Sequence, residues 1–218
     1  MRQGRRFLFL LGFGVAVAVD LGSLALGFTP GHVVAKPVLM PVLAAYAYVC
    51  DGPRLLVVGL LCGWGGDVLL RIDAESAFLA GMGCFAAGHG CYLLLFRRYG
   101  TERAREGLWA GAYGLALVAV VCLLWPDLPA GLRVPVAGYS LLLTAMADRA
   151  GRLGSPAAVG GALFLLSDTL IATGVAKWPQ LPRPDLWIML TYLAAQYLLS
   201  HATLRAHHLT SGSAPAVP

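Results

Sequence analysis

Charge is what this sequence has least of. Only 12% of its 218 residues are Asp, Glu, Lys or Arg, and 58% are hydrophobic, whereas a soluble domain carries about a quarter charged residues. That scarcity argues against a soluble globular domain. A disulfide framework is equally unsupported. The five cysteines, Cys50, Cys62, Cys84, Cys91 and Cys122, form an odd set without a CxxC pair, mostly inside apolar runs, and read as small apolar fillers. Metal-ligand spacing is missing as well: the paired His207-His208 near the C-terminus has no partner cluster, so no metal and no cofactor is expected. Charge of one sign is in excess, net +5, but its distribution follows membrane topology and implies no nucleic-acid partner.

What is present is apolar sequence in span-length pieces. A stretch of roughly 20 residues crosses about 30 Å of hydrocarbon, and eight such stretches fit: Phe7–Gly27, Val33–Val49, Arg54–Arg71, Ala77–Phe96, Gly107–Trp125, Arg133–Ala147, Pro156–Ala176 and Asp185–Leu204. The expectation is an all-α, polytopic bundle of eight transmembrane helices. Residues 1–205 make a single transmembrane domain and residues 206–218 a disordered cytoplasmic tail of turn-forming composition. The first run is longer than the apolar core of a signal peptide and contains Asp20, which favours an uncleaved helix. Arg2, Arg5, Arg6, Arg54, Arg97, Arg98, Arg103, Arg105, Arg149, Arg152 and Arg205 fall on one side; Arg71, Arg133, Lys177 and Arg183 fall on the other. By the positive-inside rule both termini are cytoplasmic.

Two aspartates sit inside these runs at the end of one pattern, Gly-x7-Asp-x-Leu-[Leu/Ile]. One copy runs from Gly59 to Asp67 and Leu70, the other from Gly160 to Asp168 and Ile171. A carboxylate at membrane depth costs several kcal/mol unless paired, hydrated or protonated, and so marks a functional site by default. The two copies lie in the third and seventh spans, and Lys36-Pro37-Val38 in the second has a counterpart in Val134-Pro135-Val136 in the sixth. This pattern suggests a parallel four-plus-four duplication that places Asp67 and Asp168 at similar depth on facing helices.

Helical spacing selects the faces. Gly59, Gly63 and Asp67 form a small-residue stripe ending in the carboxylate. Gly161, Phe164 and Asp168 share a face; Gly81, Phe85, His89, Tyr92 and Phe96 line another; Tyr192, Gln196 and Ser200 make a polar ridge. At about 1.5 Å per residue, Lys36, Asp67, Asp20, Asp168, His89 and Gln196 all fall in or near the non-cytoplasmic half. The arrangement describes a slot with a cation near its mouth and a greasy floor, suited to a single-chain amphiphile with an anionic headgroup.

These motifs together resemble the YhhN-like family of membrane proteins, whose animal and some bacterial members are lysoplasmalogenases, hydrolases of the alkenyl ether of lysoplasmalogens. The resemblance runs from Lys36 to Gln196 and rests on Lys36-Pro37, Gly66-Asp67, Phe78-x2-Gly81-x3-Phe85-x3-His89-x2-Tyr92, Gly161-Ala162-x-Phe164-x2-Ser167-Asp168 and Tyr192-x3-Gln196. Gly63 departs from it, at a position where serine is more usual. The resemblance implies an eight-span integral enzyme of a bacterial cytoplasmic membrane that takes a lysophospholipid from among the membrane lipids.

The chemistry asks for residues that are present. A vinyl ether is hydrolysed by protonating its outer alkene carbon, which gives an oxocarbenium ion that water attacks. Glycosidases meet a similar cation with one carboxylic acid and one carboxylate, and two carboxyls sharing a low-dielectric site do not readily both ionise. Asp67 and Asp168 are the candidate acid and base, in either order. Lys36 would neutralise the substrate phosphate or hold one aspartate ionised; His89 would orient water or an aspartate. Tyr92, Tyr192 and Gln196 would supply neutral hydrogen bonds, and Phe85 and Phe164 would flank the alkenyl chain. Asp20, outside the motifs, is expected to pair with a neighbouring helix. A transporter or lipid sensor that uses the same buried Asp, Lys and His residues is the alternative.

Overall fold

The computed structural model describes residues 2–102 and 106–212. Arg103 and Arg105, read above as topology signals, lie outside the described residues. The rest is almost wholly helical: α1 Arg2–Leu26, α2 Thr29–Val49, α3 Arg54–Leu69, α4 Glu75–Tyr99, α5 Glu106–Leu124, α6 Ala130–Ala150, a short 3-10 turn Gly151–Leu153, α7 Ser155–Val175 and α8 Pro184–Thr210.

Proline sets many of the starts. It opens the first turns of α2, α7 and α8, where its missing N–H costs no hydrogen bond and its fixed φ suits the helix. Glycine allows the sharp reversals after α1 and before α7, where Gly27 and Gly154 take φ of 72° and 102°, conformations that side chains resist. Inside α2, Pro37 removes the N–H that would have bonded the carbonyl four residues back. The Arg71 guanidinium satisfies that carbonyl, donating from Nη1 to Val33 O at 2.8 Å.

Six of the eight helices are long and apolar enough to cross a membrane by length and composition. α3 and α8 are the other two. Sixteen residues of α3 rise about 24 Å, less than a full hydrocarbon core; α8 is long enough but diluted by Thr191, Gln196, Ser200 and Thr203, all of them buried. The molecule is a polytopic membrane bundle in which α8 turns these polar groups inward and the short α3 buries Asp67. α6 is longer than the sequence span Arg133–Ala147 at both ends. The tail boundary also shifts: α8 continues past residue 206 to Thr210, with the His207 ring 3.1 Å from the Tyr99 hydroxyl. Residues 213–218 lie outside the described residues.

Small residues bring the helices together. A methyl group built on Gly59 would stand 3.2 Å from Cys91 Cβ and 3.6 Å from Gly88 O of α4, and one built on Gly160 would stand 3.1 Å from Leu198 Cβ and 3.2 Å from Ala195 O of α8. The first glycine of each aspartate motif thus seats its helix against the next one in the same way. One sequence equivalence does not carry over to the carboxylates. Lys36 reaches Asp67, but the α6 residue that reaches Asp168 is Tyr139, not Val134, because one further turn of α6 precedes the contact.

The core lies among α2, α3, α4, α6, α7 and α8, around Leu43, Leu56, Phe96, Met146, Phe164 and Leu199. α5 stands apart and buries only Leu124 among its described residues. Its first residue, Glu106, is gripped by Arg152 through two bonds, Nε to Oε1 at 2.9 Å and Nη2 to Oε2 at 2.8 Å. α6 and α7 are in closer contact. A methyl on Gly161 would come within 2.9 Å of the Cα and carbonyl oxygen of Ala147, backbone that cannot rotate away. Gly161→Ala is expected to force α6 and α7 apart and cost about 1–3 kcal/mol, read as a lowered thermal midpoint in detergent.

Candidate active site

The sequence-selected polar residues assemble into two hydrogen-bonded strings. The first is anchored on α3. Asp67 is buried, its Oδ2 accepts from the Tyr192 hydroxyl of α8 at 2.8 Å, and its Oδ1 lies 3.9 Å from the Lys36 ammonium of α2. Behind Tyr192, the Gln196 amide donates to the tyrosine hydroxyl at 3.4 Å, and the Tyr92 hydroxyl of α4 donates to Gln196 Oε1 at 2.7 Å. Gly63 makes room for this string: a methyl there would stand 3.1 Å from Gln196 Nε2 and 3.2 Å from the Tyr192 hydroxyl. The hydrogen bond to Asp67 therefore comes from α8, and a serine at position 63 is not required for it.

The second string is anchored on α7. The Tyr139 hydroxyl of α6 donates to Asp168 Oδ2, and His89 Nε2 of α4 lies 3.0 Å from the same hydroxyl. Because Tyr139 has one proton and gives it to Asp168, His89 donates from Nε2. Its Nδ1 is then a bare acceptor, without a partner among the described residues. The string fixes one carboxylate oxygen and leaves Oδ1 of Asp168 without a hydrogen bond among the described residues. Phe164 stands between the strings, edge-on to His89 at 4.7 Å and to Tyr192 at 5.5 Å, and Phe85 meets the Tyr192 ring at 6.0 Å.

The second string borders open space. A groove between α4, α5, α6 and α7, about 980 Å³ counting the space at its open side, has walls that are almost entirely apolar. Phe85, Tyr139 and Asp168 line it; Asp67, Lys36, His89 and Phe164 do not. Among the described residues Asp168 is the sole carboxylate in its lining and Arg133 the sole cation. Asp67 is instead a buried partner behind the aromatic layer.

Sequence reasoning missed Tyr139, which joins His89 to Asp168. The available signal was weak: a tyrosine on the same stretch of α6 as Ser140 and Thr144, close to buried Val136 and Leu143. It also missed His32, whose Nδ1 lies 2.8 Å from fully buried Asp20, the neighbouring-helix pairing expected for that aspartate. No group of three or more His, Cys, Asp or Glu side chains among the described residues is placed to hold a metal ion.

The family model of the YhhN family matches residues 31–203. This chain belongs to the YhhN family. Curated relatives include lysoplasmalogenase TMEM86B of Homo sapiens, 37% identical over 153 residues that cover 70% of this chain and 65% of the human protein. The protein of the same name from Sus scrofa is 38% identical over 65% of this chain and 59% of its own length. That of Rattus norvegicus is 35% identical over 78% and 71%. The chain thus spans somewhat under two thirds of the human and pig proteins. No solved structure matches it. The matched region of this YhhN protein contains both aspartates, Lys36, His89, Tyr139 and Gln196.

Proposed function

We propose that this protein hydrolyses the vinyl ether bond of lysoplasmalogens, releasing a fatty aldehyde and a glycerophospho-headgroup. The observation that carries the reading is an apolar groove in which Asp168, the single carboxyl among the described lining residues, presents a free oxygen while Tyr139 holds the other. The lysoplasmalogenase names of its relatives support the substrate class.

Roles follow from position. Asp168 is the acid: its Oδ1 gives a proton to the outer alkene carbon, leaving an oxocarbenium ion on the carbon that bears the ether oxygen. Water adds to that carbon and returns a proton to the Asp168 carboxylate. The hemiacetal then collapses to aldehyde and alcohol, its hydroxyl proton passing to the departing oxygen. Asp67, held by Lys36 and Tyr192, supplies a fixed negative charge near the developing cation. Lys36 acts on Asp67, the second of the two roles expected for it, since its ammonium faces that carboxylate and not the groove. His89 positions Asp168 through Tyr139. Tyr92 and Gln196 brace Tyr192. Phe85 lies along the chain, and Phe164 packs behind it between the two strings.

The Arg distribution supports cytoplasmic termini for the one transmembrane unit, with the groove toward the other side. The test is direct. Purified protein in detergent is assayed for aldehyde against alkenyl, alkyl and acyl lysophospholipids of matched chain length. Aldehyde from the alkenyl lipid alone is the expected result; no aldehyde, or equal turnover of the acyl lipid, overturns the reading.

A further inference from the structure

We propose that Arg133 is the headgroup anchor of the groove, taking the substrate phosphate at the rim so that the vinyl ether falls against Asp168. The assignment deepens the hydrolysis reading and rests on it for the identity of the lipid.

Arg133 lines the groove near the start of α6, in company with Leu128. Its guanidinium is already oriented: Nε donates to Leu128 O and Nη2 to Pro126 O, both at 3.1 Å. Those bonds fix the plane and leave Nη1 unbonded among the described residues. No carboxylate is paired with it there either. An arginine held by backbone carbonyls, facing an apolar groove and lacking an anion, is prepared for one. Lys36, the other cation near the aspartates, is occupied by Asp67 at 3.9 Å and lies outside the groove.

Distance supports the pairing of phosphate with Arg133. Arg133 and Tyr139 are on one helix, and the six-residue separation is a rise of about 9 Å; both side chains lean toward the helix N-terminus, so the offset is kept. In a lysoplasmalogen, seven bonds run from phosphorus through the glycerol to the outer alkene carbon. At about 1.2 Å per bond in an extended chain, that is about 8 Å. A phosphate on Arg133 therefore brings the alkene to the level of the Tyr139 and Asp168 pair, and the chain continues deeper, past Ser140 toward Leu143 and Leu165. The groove then measures the distance between an anion and an alkene, which selects glycerophospholipids carrying the alkenyl chain over neutral alkenyl ethers.

The experiment compares an alkenyl glycerophosphocholine with the corresponding alkenyl glycerol, which lacks phosphate, in wild type, Arg133→Gln and Arg133→Lys. Glutamine keeps a donor for the rim carbonyls and loses the charge. The expected result is that the preference for the phosphate-bearing substrate, as the ratio of kcat/KM values, falls about tenfold or more in Arg133→Gln, with the loss in KM. Arg133→Lys keeps most of it. An equal loss on both substrates in both variants marks a structural role for Arg133 and overturns the proposal, as does an unchanged ratio. Inorganic phosphate that inhibits wild type but not Arg133→Gln shows that the site takes the bare anion; inhibition of both alike counts against it. Should wild type release no aldehyde from either lipid, hydrolysis fails as a reading. Binding of a fluorescent lysophospholipid against a fluorescent monoacylglycerol still decides Arg133: selectivity for the phosphate lost in Arg133→Gln supports the anchor, and selectivity retained overturns it.

Discussion

Asp168→Asn is expected to lower aldehyde release by at least about 10²-fold while the protein still folds and binds lysophospholipid. The asparagine oxygen can accept the Tyr139 hydrogen bond that the carboxylate accepts now, so the α6–α7 contact survives, but the amide has no acidic proton to give. Asp67→Asn should be comparably slow for another reason: the Tyr192 bond at 2.8 Å is kept and the fixed negative charge is gone. Single-turnover rates alongside lipid binding separate these losses from misfolding. Near-normal turnover in both variants would leave the two aspartates as packing groups and sink the proposed chemistry.

The second large effect is on stability. Lys36→Met removes the only cation within 4 Å of Asp67 among the described residues and strands a carboxylate that is 5% exposed. Breaking one side of a buried pair costs about 3–5 kcal/mol because of the charge left behind. The double variant Lys36→Met with Asp67→Asn should therefore recover most of the lost stability and none of the activity. A thermal unfolding series over the four proteins of that cycle reads the coupling. If Lys36→Met unfolds like wild type and instead raises KM only for phosphate-bearing lipids, Lys36 is the headgroup residue and the role given to Arg133 fails.

Much of the site could be read in the sequence because buried polar residues stand out against an apolar background. Asp67, Asp168, His89 and Gln196 are conspicuous in their helices for that reason, and the four-residue spacing of Gly63 and Asp67 already turned α3 toward the helix that supplies Tyr192. Partners were harder to read. Tyrosine is an ordinary residue in a membrane helix, so nothing in α6 distinguished Tyr139 as the bridge between His89 and Asp168. Arg133 and Arg71 were legible only as topology charges, since a boundary arginine and an arginine that bonds a carbonyl freed by proline look alike in one dimension. The choice between the two roles weighed for Lys36 depended on which way one long side chain turns, and helical phase does not determine that. The α8 boundary was set too early because hydropathy marks the end of the apolar run, whereas the helix continues through half-buried His207 and His208 to exposed Thr210.

The thin packing of α5 bears on what happens after the bond breaks. Under the proposed reaction the two fragments prefer different solvents. The glycerophospho fragment is held at the rim by Arg133 and faces water once its tether is cut. The aldehyde carries no charge and lies beside a helix that buries one residue and is clamped at its far end through Glu106 and Arg152. A small outward swing of α5 would open the groove to hydrocarbon without disturbing either carboxylate string, since none of their residues is on that helix. Each product then has its own exit, and neither must retrace the path by which the intact lipid arrived.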